Sequence, residues 1–583
     1  MRQSAHDVPM EGGHELKRIG AFAALLVVTL SVGVPVASAA GATGFLDATF
    51  SGDGKVVTNV AGDDSGDAVA IQADGKILVA GSSSGGTDIA LLRYTTAGVL
   101  DTSFDGDGKV TTDIDGEDAA LGIAVAPDQK ILVAGTSGGG TTAVVVRYGT
   151  DGVVDATFGV DGVAEASLPG GSIAFDIGLQ SDGGIVITGF TGFMAGSPQV
   201  MTARFDAGGV LDPAFDGDGI VATPLGAGGG IATGLAVQAD DKVVVAGTSL
   251  STSSENVAIL RYDTDGSLDT SFGNNGKRTT DVGPGPDEGS DVVLQSDGKI
   301  VVVGNAGFER GAVLRYTTEG ALDVSFSGDG KRTVSLGGFD GFSGVGLLAD
   351  GRVVAIGSGS PTPQLPAEGF AVAQFLADGT SDVSFSQDGK AFVVFDVGFG
   401  DGEPTSAGDV EIQSDGRVVA AGTVSLAGSG SNVGVARLGP RASAVIGRPD
   451  ALIGSGGTFV GDDRYNATGV RQTIHRSVRR GRTRTFQIEV QNDGNAPDSI
   501  LVDAFWSGLS VKFFDHGVNV TRQMRFFGHR EPLAVGASTR LKVVVSVPPR
   551  AQVGKVLSIR IGTTSLNVLD KRDVVAAKIK VRA

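Results

Sequence analysis

Seven copies of one set of motifs constrain this chain more than any other feature. Leu-Asp-x-x-Phe or a close variant ends at Phe50, Phe104, Phe158, Phe215, Phe272, Phe326 and Phe385, at intervals of 54 to 59 residues. An Asp-Gly-Lys type of turn follows each copy and leads into an apolar run ending in glycine, as in Asp74-Gly75-Lys76 through Gly81. An alternating run closed by Arg-Tyr or a variant comes next, from Arg93-Tyr94 to Arg437-Leu438. Self-similarity at a fixed period means that each copy is one supersecondary unit, unable to bury its apolar face alone, so neighbours must stack.

Each period holds four strand-like runs. In the first unit they are Ala68 to Gln72, Lys76 to Gly81, Asp88 to Tyr94 and Lys109 to Ile114. The first is rich in small residues, the second is apolar throughout and the fourth alternates with Thr and Asp, which orders them from a crowded centre to a solvated rim. Four-stranded antiparallel units repeated about four to eight times make a β-propeller. The phase of the series also closes the ring. It opens on an outer-type strand, Lys55 to Val60, and ends on a third-type strand, Val433 to Leu438, that lacks an outer partner. Pairing the two completes a seventh blade and covers an edge that would otherwise template aggregation. A β-solenoid, the competing architecture, usually has shorter repeats and would leave these ends open.

The run Leu-Asp-x-x-Phe-x-x-Asp-Gly-Lys, then Asp-Gly-Lys-Ile-x-Val-Ala-Gly, then Arg-Tyr-x-x-x-Gly-x-Leu-Asp resembles the bacterial delta-60 repeat over residues 46 to 438. Its spacing is similar to propellers of the NHL and WD-repeat type. The resemblance implies a fold and leaves function open, because one fold hosts many functions.

In such a meander alternate connections share a face. The Asp-Gly-Lys turns and Leu-Asp-x-x-Phe links, nearly uniform in length, lie on one side, and the loops that vary lie on the other. Variable loops on a rigid scaffold are where binding usually resides. The expected ligand-binding face therefore carries Asp63, Asp64, Glu117, Asp118, Asp287, Glu288, Asp401 and Glu403, with apolar tips at Phe193, Met194, Phe308 and Phe342. The plainer reading of the same residues is solvated loop charge with scattered exposed aromatics.

Residues 41 to 439 contain no His, and the whole chain has no Cys, which excludes Ser-His-Asp and Cys-His nucleophiles and imidazole or thiolate zinc sites from the propeller. Paired carboxylates remain, but most Asp residues fall in repeated Asp-Gly turns where the pair supplies the positive φ of a tight hairpin. Asp263, Asp265 and Asp269 surround a glycine in the manner of a calcium loop, without the Glu that an EF-hand places further on. Calcium is thus the one cofactor to test, against a purely structural turn. With 20 Lys and Arg against 52 Asp and Glu, this region is a poor partner for nucleic acid.

Residues 440 to 583 reverse the balance, 23 against 11, and form a second domain. Residues 440–483 read as a linker with a lead-in strand bearing Arg476, Arg479, Arg480, Arg482 and Arg484. Residues 484–583 read as about seven short strands, an immunoglobulin-like β-sandwich. The stretch Phe486 to Val502 resembles bacterial extracellular adhesion-type immunoglobulin modules. His475, His516 and His529 sit on different segments without ligand spacing and are expected to be isolated surface residues.

Residues 1–39 read as a signal peptide: Lys17 and Arg18, an apolar run from Ile19 to Val36, then Ala37-Ser38-Ala39. A retained membrane anchor is the rival reading. The fold class expected is all-β, with a seven-bladed β-propeller over 40–439 and a sandwich after it. The expected function is a secreted or cell-wall-associated, non-enzymatic binding or adhesion scaffold for an extracellular protein or glycan. The basic domain would contact anionic wall polymer. The alternatives are a carbohydrate-active hydrolase or lyase using propeller-loop carboxylates, and a surface-layer component with no discrete ligand.

Overall fold

A computed structural model describes residues 46–251, 254–307, 310–337, 341–359, 369–386, 388–395, 405–426, 430–439, 449–454, 459–460, 472–493, 498–526, 528–534, 537–565 and 572–583. The leader expected over 1–39 lies outside them. No helix among the described residues is long and apolar enough to cross a membrane. The chain divides into two compact units, each taken here by itself.

Ahead of residue 440 the described strands form seven four-stranded antiparallel sheets. Blade 1 runs Ala68–Ile71, Ile77–Ser83, Asp88–Tyr94, Lys109–Thr112, innermost to outermost, and blades 2 to 6 repeat that order. Each innermost strand packs on the innermost strands of both neighbouring blades, including the first on the last. Blade 7 is Ser406–Ile412, Val418–Leu426, Gly430–Leu438 and, as its outer strand, Lys55–Thr58 from the start of the described chain. The register is Lys55↔Ala436 to Thr58↔Val433, extended by a bridge between Leu46 and Leu438. The expected closure is present.

The second and third strands of each blade are buried almost throughout, as their unbroken apolar runs require. In blades 2 to 7 the innermost strand carries a bulge at one shared level, between Ala120 and Gly122 in blade 2 and between Ala407 and Asp409 in blade 7. The glycine that ends each apolar run follows from this. At Gly135, a Cβ would overlap the carbonyl oxygen of Ala119 in the bulged strand.

The second unit comprises a six-stranded and a five-stranded sheet on one core that includes Ile453, Phe486, Ile488, Val502, Phe513, Val543, Ile561 and Val575. The stretch read as linker with a lead-in strand supplies strands to both sheets. Pro449–Gly454 pairs with Thr483–Asn492, and Thr473–Arg479 lies parallel to Arg572–Arg582. Its Gly- and Arg-rich composition hid the alternation of Ile474 and Val478, which are buried.

Candidate functional site

On the face of uniform loops, the three motifs meet at one node. In blade 1 the Arg93 Nε donates to Asp101 Oδ2 at 2.8 Å, its NH1 donates to the Thr150 carbonyl one repeat further on, and its guanidinium lies 4.4 Å above the Phe104 ring. Lys76 of the Asp-Gly-Lys turn reaches the same Asp101 oxygen at 3.2 Å. The node recurs with Arg147, Asp155 and Phe158; Arg204, Asp212 and Phe215; Arg261, Asp269 and Phe272; and Arg315, Asp323 and Phe326. The last arginine, Arg437, pairs with Asp47 and stacks on Phe50, so the first motif of the chain completes the last node. In blade 6 Gln374 replaces the arginine. Burial alone would raise the carboxyls of Asp101, Asp269 and Asp323; the serine two residues on, the lysine and the arginine outweigh it and hold all three below the usual range.

Asp263, Asp265 and Asp269, read from sequence as a candidate calcium loop, lie at one of these nodes. Lys242 Nζ sits 2.8 Å from Asp263 and 2.7 Å from Asp269, and Arg261 also holds Asp269. Asp265 accepts from the Ser267 hydroxyl and backbone N–H. Two of the three acids are thus paired with side-chain cations, and the third is bonded to Ser267.

Along the axis the aspartates face the opposite environment. Just after the bulge, blades 3, 5 and 7 carry Asp176, Asp291 and Asp409, while blades 2, 4 and 6 carry Gly122, Gly234 and Gly344. Each aspartate accepts the N–H of its own successor and one from the next blade: Asp176 from Leu235 at 2.6 Å, Asp291 from Val345 at 2.8 Å, Asp409 from Val69 at 3.0 Å. The intervening glycines are required by the fit, since a Cβ at Gly234 would lie 2.7 Å from the Asp291 Cα. Asp409 thereby joins blade 7 to blade 1. The seven innermost strands contain no Lys, Arg or His. Burial, reinforced by repulsion from Asp409, raises Asp176 to about 7; burial raises Asp409 to about 6. Desolvation and the other two aspartates push Asp291 well above the usual carboxylate value, and desolvation within the ring, then Asp409, lifts Glu411 to about 7 although its surface is exposed. None of these four was singled out from sequence. The available signal was an acid inside a strand otherwise made of small and apolar residues.

On the variable-loop face the expected ligand residues divide. Asp64, Asp118 and Asp287 are buried, and each accepts backbone N–H groups of its own loop: Asp64 from Val60 and Ala61, Asp118 from Ile114 and Asp115, Asp287 from Val282 and Gly283. They hold the loops and do not present charge. Asp63 is exposed; Glu117 and Glu288 are half-buried. Asp401, Glu403 and Phe308 lie outside the described residues. Phe193 and Met194 are exposed as expected, but Phe342 is buried edge-on against Phe375, because it sits at the bulge of the blade 6 inner strand. Two acids that the sequence reading passed over stand in the variable loops of blades 4 and 5. Glu255 and Asp281 line a cavity of about 490 Å³ with Ser251, Asn256 and Pro286. Burial and then the Glu255 charge raise the carboxyl of neighbouring Glu288.

In the second unit the histidines are not all isolated. His516 and His529 both contact Asp515, and His475 is exposed. A groove of about 540 Å³ is lined by Phe505, Trp506, Arg560 and Arg572.

Comparison with curated proteins finds no match. Solved structures similar to the chain include a protein of unknown function from Dyadobacter fermentans, 13% identical, covering 66% of this chain and 98% of that one, with a TM-score of 0.34. A gluconolactonase from Xanthomonas campestris is 14% identical over 69% and 99%, with a TM-score of 0.31. A polysaccharide lyase, an ulvan lyase with bound saccharide, is 12% identical over 65% and 95%, with a TM-score of 0.38. Likeness at this level bears on neither activity nor substrate. Seven segments match one family model, described as a domain of unknown function (DUF5122) beta-propeller: 72–104, 126–158, 180–215, 238–272, 295–326, 348–385 and 413–440. Six run through to Leu-Asp-x-x-Phe or its variant and the seventh stops short, its own copy lying at residues 46–50. From Leu46 to Leu438 the chain is a seven-bladed β-propeller, and seven segments of its repeats match the DUF5122 beta-propeller model.

Proposed function

We propose that the chain is exported and acts outside the cell, or at its wall, as a non-enzymatic binding scaffold whose propeller takes its ligand on the variable-loop face. One observation carries this reading. The recurring chemistry of the repeat is spent within the nodes of the uniform face, whereas loop length varies and a concave acidic surface lies on the other. Glu255, Asp281 and Glu288 favour a cationic partner, a basic segment of an extracellular protein, over a neutral glycan. The second unit is read as an immunoglobulin-like adhesion module that contacts anionic wall polymer through Arg560 and Arg572 beside Phe505.

The test compares wild type with the triple variant Glu255→Gln, Asp281→Asn, Glu288→Gln on basic-peptide and glycan arrays at two salt concentrations. Binding to basic peptides that weakens with salt and disappears in the variant supports the reading. Binding indifferent to the variant removes the proposed face.

A carbohydrate hydrolase or lyase is the second reading, favoured by carboxyls along the axis that are raised toward neutral pH, Glu411 among them. Polysaccharide turnover abolished by Glu411→Gln would establish it.

A further inference from the structure

We propose that Asp515, His529 and Glu531 form a binding site for a divalent transition-metal ion, zinc or manganese, at the open edge of the second unit. Asp515 ends the strand Ser510–Asp515 in one sheet, and His529 begins the edge strand His529–Leu533 of the other. The tight turn His516-Gly517, with φ of 43° and 90°, returns the first strand on itself and leaves Asp515 paired with Val518 at its tip. A ligand held by these three side chains therefore fastens a hairpin of one sheet to the rim of the other.

The geometry points to a metal. His529 Nε2 lies 3.3 Å from Asp515 Oδ2 and 3.0 Å from Glu531 Oε1. One donor atom from each residue lies within 4.8 Å of the other two. Ligands about 2.0–2.1 Å from a tetrahedral ion stand roughly 3.3 Å from one another, which matches these separations. Glu531 is 6% exposed, and its Oε1 is buried with no hydrogen bond. That oxygen lies 3.0 Å from the imidazole nitrogen, whose hydrogen bond goes to Asp515 Oδ2. The other Asp515 oxygen is held by His516 Nδ1 at 2.7 Å, an outer contact that orients the carboxylate and turns Oδ2 toward His529 Nε2. One imidazole with two carboxylates suits zinc or manganese; calcium takes six to eight oxygens and magnesium keeps its water.

The rival explanation is a protonated His529 held between two carboxylates without a metal. The experiment uses the full chain, stripped with chelator and titrated with zinc chloride at pH 7.5 by calorimetry. Thermal unfolding is followed in parallel by fluorescence of Trp506, the sole tryptophan, which lies in this unit. The expected result is one saturable site and a zinc-dependent rise in the Trp506 transition. Both weaken at least about 100-fold in His529→Gln and in Glu531→Gln, and no more than about 10-fold in His516→Ala, whose role is to orient. Glu531→Gln keeps the shape of the side chain, so it remains informative if the histidine variant fails to fold. Absence of saturable binding by both zinc and manganese overturns the site, as does binding unchanged in Glu531→Gln. Saturation by calcium but not by zinc or manganese overturns the class of ion.

Discussion

Aspartate serves the propeller in two places, and the two differ in nearly every physical respect. On the rim, Asp47, Asp101, Asp155, Asp212, Asp269 and Asp323 each meet an arginine stacked on a phenylalanine, and ionisation is favoured. At the axis, Asp176, Asp291 and Asp409 meet backbone N–H groups and one another, with no base in the surrounding strands, and ionisation is resisted. Both sets join one blade to the next. Opposite charge does so at the rim; at the axis it is done by hydrogen bonds to the backbone in a space too tight for a side chain on alternate blades.

The largest effect expected from breaking the rim comes where the ring closes. Removing residues 46–60 leaves the strand Gly430–Leu438 without its outer partner and Arg437, 3% exposed, without Asp47. The truncated chain is expected to lose cooperative unfolding and to aggregate, as followed by light scattering during a thermal ramp. One step smaller is a single node. Arg261→Ala leaves buried Asp269 with Lys242 and Ser271 and removes the stacked guanidinium, and a loss of about 2–3 kcal/mol in denaturant-unfolding stability is expected, below the full cost of stranding a buried charge because two partners remain. If Arg261→Ala costs less than about 1 kcal/mol, the node is an ordinary surface ion pair.

At the axis the sharper probe is steric. Gly234→Ala places a methyl 2.7 Å from the Asp291 Cα, and a loss of about 1–3 kcal/mol is expected in the same unfolding assay. Asp176→Asn should cost least. It keeps one acceptor and removes a charge that burial disfavours, so stability at pH 7.5 should change by no more than about 1 kcal/mol in either direction, with the pH dependence altered instead.

The rim was legible in the sequence because its parts recur in nearly the same type and spacing: three motifs and a ring phase were sufficient to place seven blades and to pair Lys55 with the last third-type strand. What the motifs do was not legible. Arg93, Lys76, Asp101 and Phe104 are spread over 29 residues, and only the fold brings them together, so the cations beside Asp263 and Asp269 could not be read from the local motif. The axis was hidden for another reason. Asp176, Asp291 and Asp409 alternate with glycine, so no single-repeat pattern contains them. On the variable face, acid content alone could not separate Asp64, Asp118 and Asp287, which bond to their own loops, from Glu255 and Asp281, which face a cavity.

The contrast between rim and axis fixes the sign of the pH response on each side. Axial carboxyls, raised from 3.8 to about 6 or 7, bind more protons folded than unfolded across that window, so their contribution to stability falls as pH rises from about 4 to 7. Rim carboxyls are lowered, Asp323 to about 2, so their contribution is present above the ordinary value and is lost as pH falls through it. The most direct measurement is thermal unfolding from pH 3 to 8, read by tyrosine absorbance, since Tyr94, Tyr148, Tyr262 and Tyr316 are fully buried in the propeller. A transition temperature that peaks between about pH 4 and 6, with the neutral-side decline abolished in Asp176→Asn, Asp291→Asn, Asp409→Asn, is the result expected. A transition temperature that climbs steadily to pH 8 in both proteins would contradict the division of the aspartates into two opposed sets.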